Sequence, residues 1–247
     1  MGIKRNELIC GTHPVAEALK SGVNIMKILI KRGINRERIS EIITTAHSIH
    51  IFVQEVPAEK LDRIAGTNHQ GIIAIISPVE FQSIEQLLPS LYESGNAPFV
   101  LLLDGVTDVR NLGAVARTAE CFGVDAIILP KKGSALPGKD AVKSSAGALL
   151  KIPLCRVESL VKSVEFLQLS GIQVLGLTEK AKENIHECDL TIPTALILGS
   201  EGEGISNSLL RKADHLVAIS MSGSIASLNI SVAAGIGMYE VQRQRAN

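Results

Sequence analysis

The chain of 247 residues has no tryptophan and only 3% aromatic residues, which argues against an aromatic-rich all-β fold. Its four cysteines, Cys10, Cys121, Cys155 and Cys188, are scattered and form no C-x-x-C pair. Neither a disulfide framework nor a zinc site is indicated, and reduced, buried thiols are expected. His47 and His50 sit three apart on an expected helix but lack the companions that would complete a ligand set, so no metal is expected. A charge of one sign is missing too. The 25 Lys and Arg balance 25 Asp and Glu, which excludes a uniformly basic nucleic-acid binder and leaves room only for a local patch. The opening MGIKRNELICG has no apolar run suited to a signal peptide. No uncharged run approaches the roughly 20 residues of a membrane span. A cytoplasmic protein without a membrane partner is expected.

What the chain has is aliphatic residues. Hydrophobic residues make up 46% of it, dominated by Val, Ile and Leu, as in buried parallel strands between helices, and the expected class is α/β. Residues 1–78 read as one small α/β domain. A helix follows Thr12-His13-Pro14, with strands at Ile25 to Ile30, Ile51 to Val56 and Gly71 to Ile76 and helices near Arg38 to His47 and Ala58 to Ala65. This segment holds ten Lys and Arg against seven Asp and Glu, a net +3. The excess gathers at Lys27, Lys31, Arg32, Arg36 and Arg38, either a solvated loop or an edge that contacts phosphates. Residues 79–98 read as a linker, preceded by Pro78 and punctuated by Pro89 and Pro98, with a short helix capped at Ser83. Residues 99–247 read as a second domain, with apolar strands at Phe99 to Leu103, Ala126 to Leu129, Gln173 to Leu177, Thr194 to Leu198 and Leu216 to Ile219. Helices are expected near Asn111 to Phe122, Val157 to Leu169, Ile205 to Lys212 and Leu228 to Gln244.

Three loops that leave apolar strands carry glycine and polar residues: Asp104 to Gly113, Gly199 to Gly204, and Ser220 to Asn229. In a parallel sheet such loops share one edge and form the ligand crevice. The last of them leads into a helix with Ser227 as its expected N-cap and Asn229 and Ser231 in its first turn. Common nucleotide signatures fail. The spacing Gly199-x-x-Gly202-x-Gly204 is not G-x-G-x-x-G, and Glu201 and Glu203 would repel a pyrophosphate. Gly133 to Lys139 fits G-x-x-x-x-G-K, yet Asp140 stands where a magnesium-binding Ser or Thr belongs. No G-x-S-x-G nucleophile elbow is present. An acidic, glycine-lined crevice without phosphate machinery suits a cofactor bearing positive charge.

Taken together, Asn111-x-Gly113-x-x-x-Arg117, Leu198-Gly199-Ser200-Glu201-Gly202-Glu203-Gly204, and Ile219-x-Met221 with Ser227-Leu228-Asn229-Ile230-Ser231 resemble the three motifs of the SpoU (TrmH) family of RNA 2'-O-ribose methyltransferases. Gly11-Thr12-His13-Pro14-Val15 and His69-Gln70-Gly71 resemble the L30e-like RNA-binding domain that precedes the catalytic domain in the branch acting on 23S rRNA. The resemblance implies a C-terminal trefoil knot, a homodimer and S-adenosylmethionine as cofactor. It places the cofactor against Gly199, Ile219 and Leu228, with Thr178, Met221 and Ser227 in the same pocket. It assigns RNA contact to His13, Arg32, His69 and Gln70, and catalysis to Asn111, Arg117, Glu201 and Asn229. Arg117 is the residue that such enzymes are credited with using to activate the hydroxyl. A guanidinium is almost never deprotonated at neutral pH, so stabilisation of oxyanion character suits it better, with Asn111 and Asn229 as orienters. Glu201 is either the proton acceptor or the residue that positions Arg117. One departure stands out: the family reads Asp-Pro-x-Asn where this chain has Asp108-Val109-Arg110-Asn111, which frees a backbone angle without deleting a functional group. The alternatives to rRNA methylation are a tRNA 2'-O-methyltransferase and a non-catalytic RNA-binding or ribosome-assembly protein on the same scaffold.

Overall fold

A computed structural model describes residues 8–49, 51–66 and 68–246, so His50 lies outside the described residues. The chain divides into two compact units, Met1–Val79 and Glu80–Asn247.

In the first unit the order is β1 (Leu8–Cys10), α1 (Thr12–Lys20), β2 (Ile25–Lys31), α2 (Ser40–Ser48), β3 (Phe52–Val56), α3 (Ala58–Ala65) and β4 (Ile72–Ile76). The sheet runs β1-β4-β2-β3, with β4 antiparallel to both neighbours and β2 parallel to β3. Spacing of three and four residues along α1 buries Val15, Ala18 and Leu19 against Ile28, Ile30, Ile72 and Ala74 of the sheet. The helix expected from Arg38 opens as a 3-10 turn at Glu37–Ile39, which buries Ile39 before α2 begins. Strand β1 escaped the sequence reading because three residues are too few to show a period.

The second unit follows as β5 (Phe81–Gln82), α4 (Ile84–Glu93), β6 (Phe99–Leu103), α5 (Val109–Cys121), β7 (Ala126–Pro130), α6 (Lys139–Ser144), β8 (Leu154–Val157), α7 (Leu160–Leu169), β9 (Gln173–Leu177), β10 (Glu183–Asn184), β11 (Thr194–Leu198), α8 (Asn207–Leu210), β12 (His215–Ala218) and α9 (Ile230–Arg245). Its eight-stranded sheet is ordered β10-β12-β9-β11-β6-β7-β8-β5, and every pairing is parallel. Strands β6 and β11 are buried at every position, as uninterrupted apolar runs covered on both faces must be.

Several expectations need correction. The segment 79–98 is no free linker: β5 pairs with β8, and Ile84 and Leu88 of α4 are buried in the core of the second unit. Pro89 sits inside α4, where it removes one backbone donor without ending the helix. Strand β8 was not expected, and the helix expected near Val157 to Leu169 begins only at Leu160 because Val157 belongs to that strand. The N-cap of α9 is Asn229, whose side chain accepts from Ser231 N, and not Ser227. Of the cysteines, only Cys155 and Cys188 are buried; Cys10 is half-buried and Cys121 is exposed.

Helix α9 carries a run of small residues, Ala233, Ala234, Gly235 and Gly237, that lets it pack closely within the chain. A Cβ on Gly237 would stand 3.2 Å from Leu196 Cδ1 and 3.3 Å from Leu177 Cδ2, so this helix lies close on β9 and β11. Its far end is clamped by Arg245, which donates from Nε to Leu190 O at 2.9 Å, from Nη1 to Ala97 O at 2.6 Å and from Nη2 to Ile192 O at 2.8 Å. The guanidinium also lies 5.5 Å from the Phe99 ring centre. Replacing Arg245 by Met keeps most of the apolar stem and strands these carbonyls. A loss of about 2–4 kcal/mol is expected in urea unfolding, and a loss under about 1 would show that water re-satisfies them.

Candidate active site

The crevice is built by the carboxyl ends of β9, β11 and β12, neighbouring strands in the sheet, so that the loops after them must meet. Each loop is shaped by local chemistry. After β11 the chain folds back on itself: Ser200 N donates to Gly204 O at 3.1 Å, Gly204 N returns to Ser200 O at 3.0 Å, and Ser200 Oγ accepts from Glu203 N at 3.2 Å. Gly199 makes this possible, because a Cβ there would fall 2.0 Å from Gly204 C and 2.1 Å from Ile205 N. The loop after β6 is tied to it by Asp104, whose carboxylate accepts from Ser206 N at 2.8 Å.

Helix α5 starts two residues earlier than expected because Asp108 caps it, accepting from Arg110 N at 2.7 Å. Arg110 bonds the same carboxylate from Nη2 at 3.0 Å, holding Asp108 below the usual carboxylate range. Val109 thus occupies the first helical position, and the cap supplies the rigidity that Pro would otherwise give. Gly113 lets α5 approach α6 closely: a Cβ would meet Ser144 Oγ at 1.9 Å and Ala141 O at 2.9 Å.

Three of the four residues assigned to catalysis converge. Asn229 Nδ2 donates to Asn111 Oδ1 at 3.3 Å and to Glu201 Oε1, while Asn229 Oδ1 accepts from Ser231 N at 2.9 Å and Ser231 Oγ at 2.6 Å. One amide therefore joins all three loops. Arg117 does not join them: it is exposed on α5, in line with Arg110 one heptad earlier.

Beside this node lies a cavity of about 300 Å³. Thr178, Gly199, Ile219, Met221, Ser227 and Leu228, the six residues expected to hold a cofactor, all line it. Apolar surface comes from Leu177, Leu198, Ile219 and Ile230, and the charged lining is Glu179, Glu201 and Glu203 against the single Lys180. An apolar slot with an acidic wall fits an organic ligand that is part aromatic and part cation. Glu179 and Lys180 were missed in the sequence because nothing in a β-strand terminus marks which flanking residues will turn inward, and Ile230, quoted within the third motif, was given no role there. Asp104 was legible only as a loop residue, since its partner lies 102 positions away.

In the first unit, Thr12, His13, Arg32 and Gln70 fall at one end of the sheet, where Gly11 N bonds Ile72 O at 3.1 Å and Lys31 N bonds Gly71 O at 2.8 Å. Gln70 Oε1 accepts from Thr12 N and Oγ1, each at 3.2 Å. His13, Arg32 and Gln70 are exposed. His69 is a correction: it is 6% exposed, with Nε2 against Asp62 Oδ1 at 3.0 Å and Nδ1 accepting from Gly71 N at 3.0 Å. Both ring nitrogens are spent inside the protein, so it shapes the turn that displays Gln70 and has no free edge for RNA.

Residues 98–239 match the SpoU rRNA Methylase family, and residues 8–82 match a domain described as RNA 2'-O ribose methyltransferase substrate binding. A protein of Staphylococcus aureus (strain MSSA476) assigned to the TrmH family of tRNA/rRNA methyltransferases is 40% identical over 238 residues, 96% of each chain. Two crystal structures share the fold at 24% identity. The SpoU methyltransferase AviRb from Streptomyces viridochromogenes, in complex with AdoMet, has a TM-score of 0.60 over 97% of this chain and 90% of its own. An AdoMet-bound rRNA methyltransferase from Sinorhizobium meliloti has 0.61 over 96% and 86%.

Proposed function

The chain belongs to the SpoU/TrmH family of RNA methyltransferases, and on that premise we propose that it methylates a ribose 2'-hydroxyl of rRNA, using S-adenosylmethionine. The observation that carries this reading is the joining of Asn111, Glu201 and Asn229 by hydrogen bonds, beside a cavity lined by the six residues expected to hold the cofactor. The residues present suit that cofactor. Leu177, Ile219 and Ile230 offer apolar surface to an adenine, and the acidic lining faces a sulfonium's positive charge. When bound, the cofactor supplies an electrophilic methyl group.

The protein's own part is positioning. Asn229 is fixed from both ends of its amide, as acceptor for the α9 turn and as donor to Asn111 and Glu201, so it holds those two side chains in one geometry toward a ribose. Glu201 is the carboxylate of this node, suited to take the hydroxyl proton or to hold a guanidinium. Arg117 serves as the cation that stabilises developing charge on the oxygen.

A homodimer is supported by α9, which leaves Val232, Ile236 and Tyr239 exposed at 48%, 37% and 56% on one face, spaced four and three apart. The interleaved order β12-β9-β11-β6 supports a knotted C-terminal path. Substrate choice rests on the first unit, where His13, Arg32 and Gln70 offer donors at one end and the net charge of residues 1–78 is +3.

The test is to incubate the protein with labelled S-adenosylmethionine and unmodified 23S rRNA or bulk tRNA, and to map 2'-O-methyl positions. Label confined to tRNA would overturn the rRNA assignment, and cofactor binding without methylation of either RNA would favour a binding scaffold. Removing residues 1–79 is expected to weaken rRNA affinity by at least about tenfold, or 1.4 kcal/mol. Calorimetry with S-adenosylmethionine should be unchanged. Equal rRNA affinity in the shortened protein would remove the first unit from substrate recognition.

A further inference from the structure

Sequence spacing offers no metal-ligand set, but the second unit assembles one from three separated positions. Glu183 lies in β10 at the sheet edge, Cys188 follows the 3-10 turn Ile185–Glu187, and His215 opens β12. Cys188 Sγ stands 3.2 Å from Glu183 Oε1, His215 Nδ1 stands 3.7 Å from Glu183 Oε2, and the three ligand atoms all lie within 4.8 Å of one another. We propose that Glu183, Cys188 and His215 bind a divalent transition-metal ion of the zinc class, with water in the fourth position.

The geometry is the first argument. Zinc bonds of about 2.3 Å to sulfur and 2.0–2.1 Å to nitrogen or oxygen imply ligand-to-ligand edges of about 3.3–3.5 Å in a tetrahedron. The Cys188 separation of 3.2 Å to Glu183 Oε1 is already close to such an edge, while the 3.7 Å from His215 is to the other oxygen, Oε2, so closing the tetrahedron requires the Glu183 carboxylate and the His215 ring to turn until one oxygen faces both partners. The donor set is the second. A thiolate, an imidazole and a carboxylate together suit zinc, cobalt or a similar borderline ion, and do not suit magnesium or calcium, which take oxygen ligands.

Preorganisation is the third argument. Glu183 is registered against Val217 by strand pairing, so β10 and β12 are fixed to each other before any ion arrives. Cys188 is held by its backbone: its N–H donates to Ile185 O at 3.4 Å and its carbonyl accepts from Gln244 Nε2 at 3.1 Å. The turn before it is closed by a reciprocal cap between Asn184 and Glu187, with Asn184 N donating to Glu187 Oε2 at 2.7 Å. Glu187 is thereby occupied, which leaves Glu183 as the carboxylate for the ion. Cys188 Sγ donates its hydrogen to Glu183 Oε1, so an ion that takes both ligands releases that proton to solvent. His215 is half exposed, so an ion can enter from that side and keep a water.

Occupancy would brace one wall of the cofactor cavity. Asn184, next to Glu183, accepts a hydrogen bond from Ser220 Oγ at 2.7 Å, and the residues on either side of Ser220, Ile219 and Met221, line the cavity. A metal tie between β10 and β12 would therefore hold the strand that delivers them.

The experiment uses the full chain, reduced with a phosphine, stripped by chelator and titrated with Co²⁺. A thiolate-to-cobalt charge-transfer band saturating at one equivalent, and lost on adding Zn²⁺, is expected. Cys188→Ser should abolish the band and Cys121→Ser should leave it intact. His215→Gln, a change at a half-exposed edge position that should not disturb folding, should weaken Co²⁺ by at least about tenfold, since outer partners of metal ligands alone are worth that much. A missing band, a band that survives Cys188→Ser, or unchanged affinity in His215→Gln would each reduce the cluster to a hydrogen-bonded sheet edge. None of these readings requires the RNA assignment to be right.

Discussion

Gly199→Ala is expected to abolish S-adenosylmethionine binding and to destabilise the protein by at least about 3 kcal/mol. The added carbon would overlap main-chain atoms, Gly204 C at 2.0 Å and Ile205 N at 2.1 Å, and not the movable end of a side chain. Relief requires that the 200–204 loop swing away, which breaks the reciprocal bonds between Ser200 and Gly204 and carries Glu201 off Asn229. The loop and the strand end cannot both be kept. Nothing lies within 4 Å of a Cβ on Gly202 in the same loop, so Gly202→Ala is the matched control, expected to hold stability within about 0.5 kcal/mol. Calorimetry with the cofactor and urea unfolding read the two effects separately. Cofactor affinity within twofold of the parent in Gly199→Ala would mean that the cavity described here is not the binding site.

How far the sequence carries depends on which interactions make each feature. Continuous apolar runs such as Phe99 to Leu103 and Thr194 to Leu198 announce buried strands by themselves, and their observed bounds coincide with the expected ones. Short strands do not: β8 and β10 exist because a neighbour is already in place, so no local period marks them. Caps were partly legible. Ser83 was readable as a helix start, whereas at α9 the choice between Ser227 and Asn229 depends on Glu201 and Asn111, residues 28 and 118 positions away, which draw Asn229 into the cap geometry. Prolines misled at residues 79–98, because burial of Ile84 and Leu88 outweighs one lost backbone bond at Pro89.

Candidate site residues follow the same division. Those on the three glycine-bearing loops come together because parallel topology forces such loops to one edge, and the motifs had marked them. His69 was misassigned since its polarity is visible in the sequence while the Asp62 and Gly71 contacts that consume it are not. The Glu183, Cys188 and His215 cluster was invisible, as its spacing matches no ligand pattern and only the pairing of β10 with β12 brings it together.

In Arg117→Ala, methyl transfer to RNA is expected to fall by at least about 10²–10³-fold, the scale for removing a donor to a developing oxyanion, while S-adenosylmethionine affinity stays within about twofold. The split follows from placement. Arg117 is exposed and does not line the cofactor cavity, so its loss leaves the cavity intact. It sits seven residues beyond Arg110 on one face of α5, about 10 Å along the helix, and Arg110 is near enough to Glu201 to feel its charge. Arg117 is exposed and has no hydrogen bond to Asn111, Glu201 or Asn229, so in the homodimer proposed above it is available to the node of a second copy docked against the α5–α9 surface, where Phe122 and Tyr239 pack edge to face at 6.2 Å. Asn229→Asp supplies the complementary defect: it keeps an N-cap acceptor but sets a carboxylate against Glu201 where a donor is needed. Each variant alone should be inactive. Refolded together they should regain activity, because a mixed pair can place an intact Asn229 opposite an intact Arg117 from the partner. Mixed dimers that form and stay inactive would return Arg117 to the site of its own chain, and parallel loss of cofactor binding in Arg117→Ala would take it out of catalysis altogether.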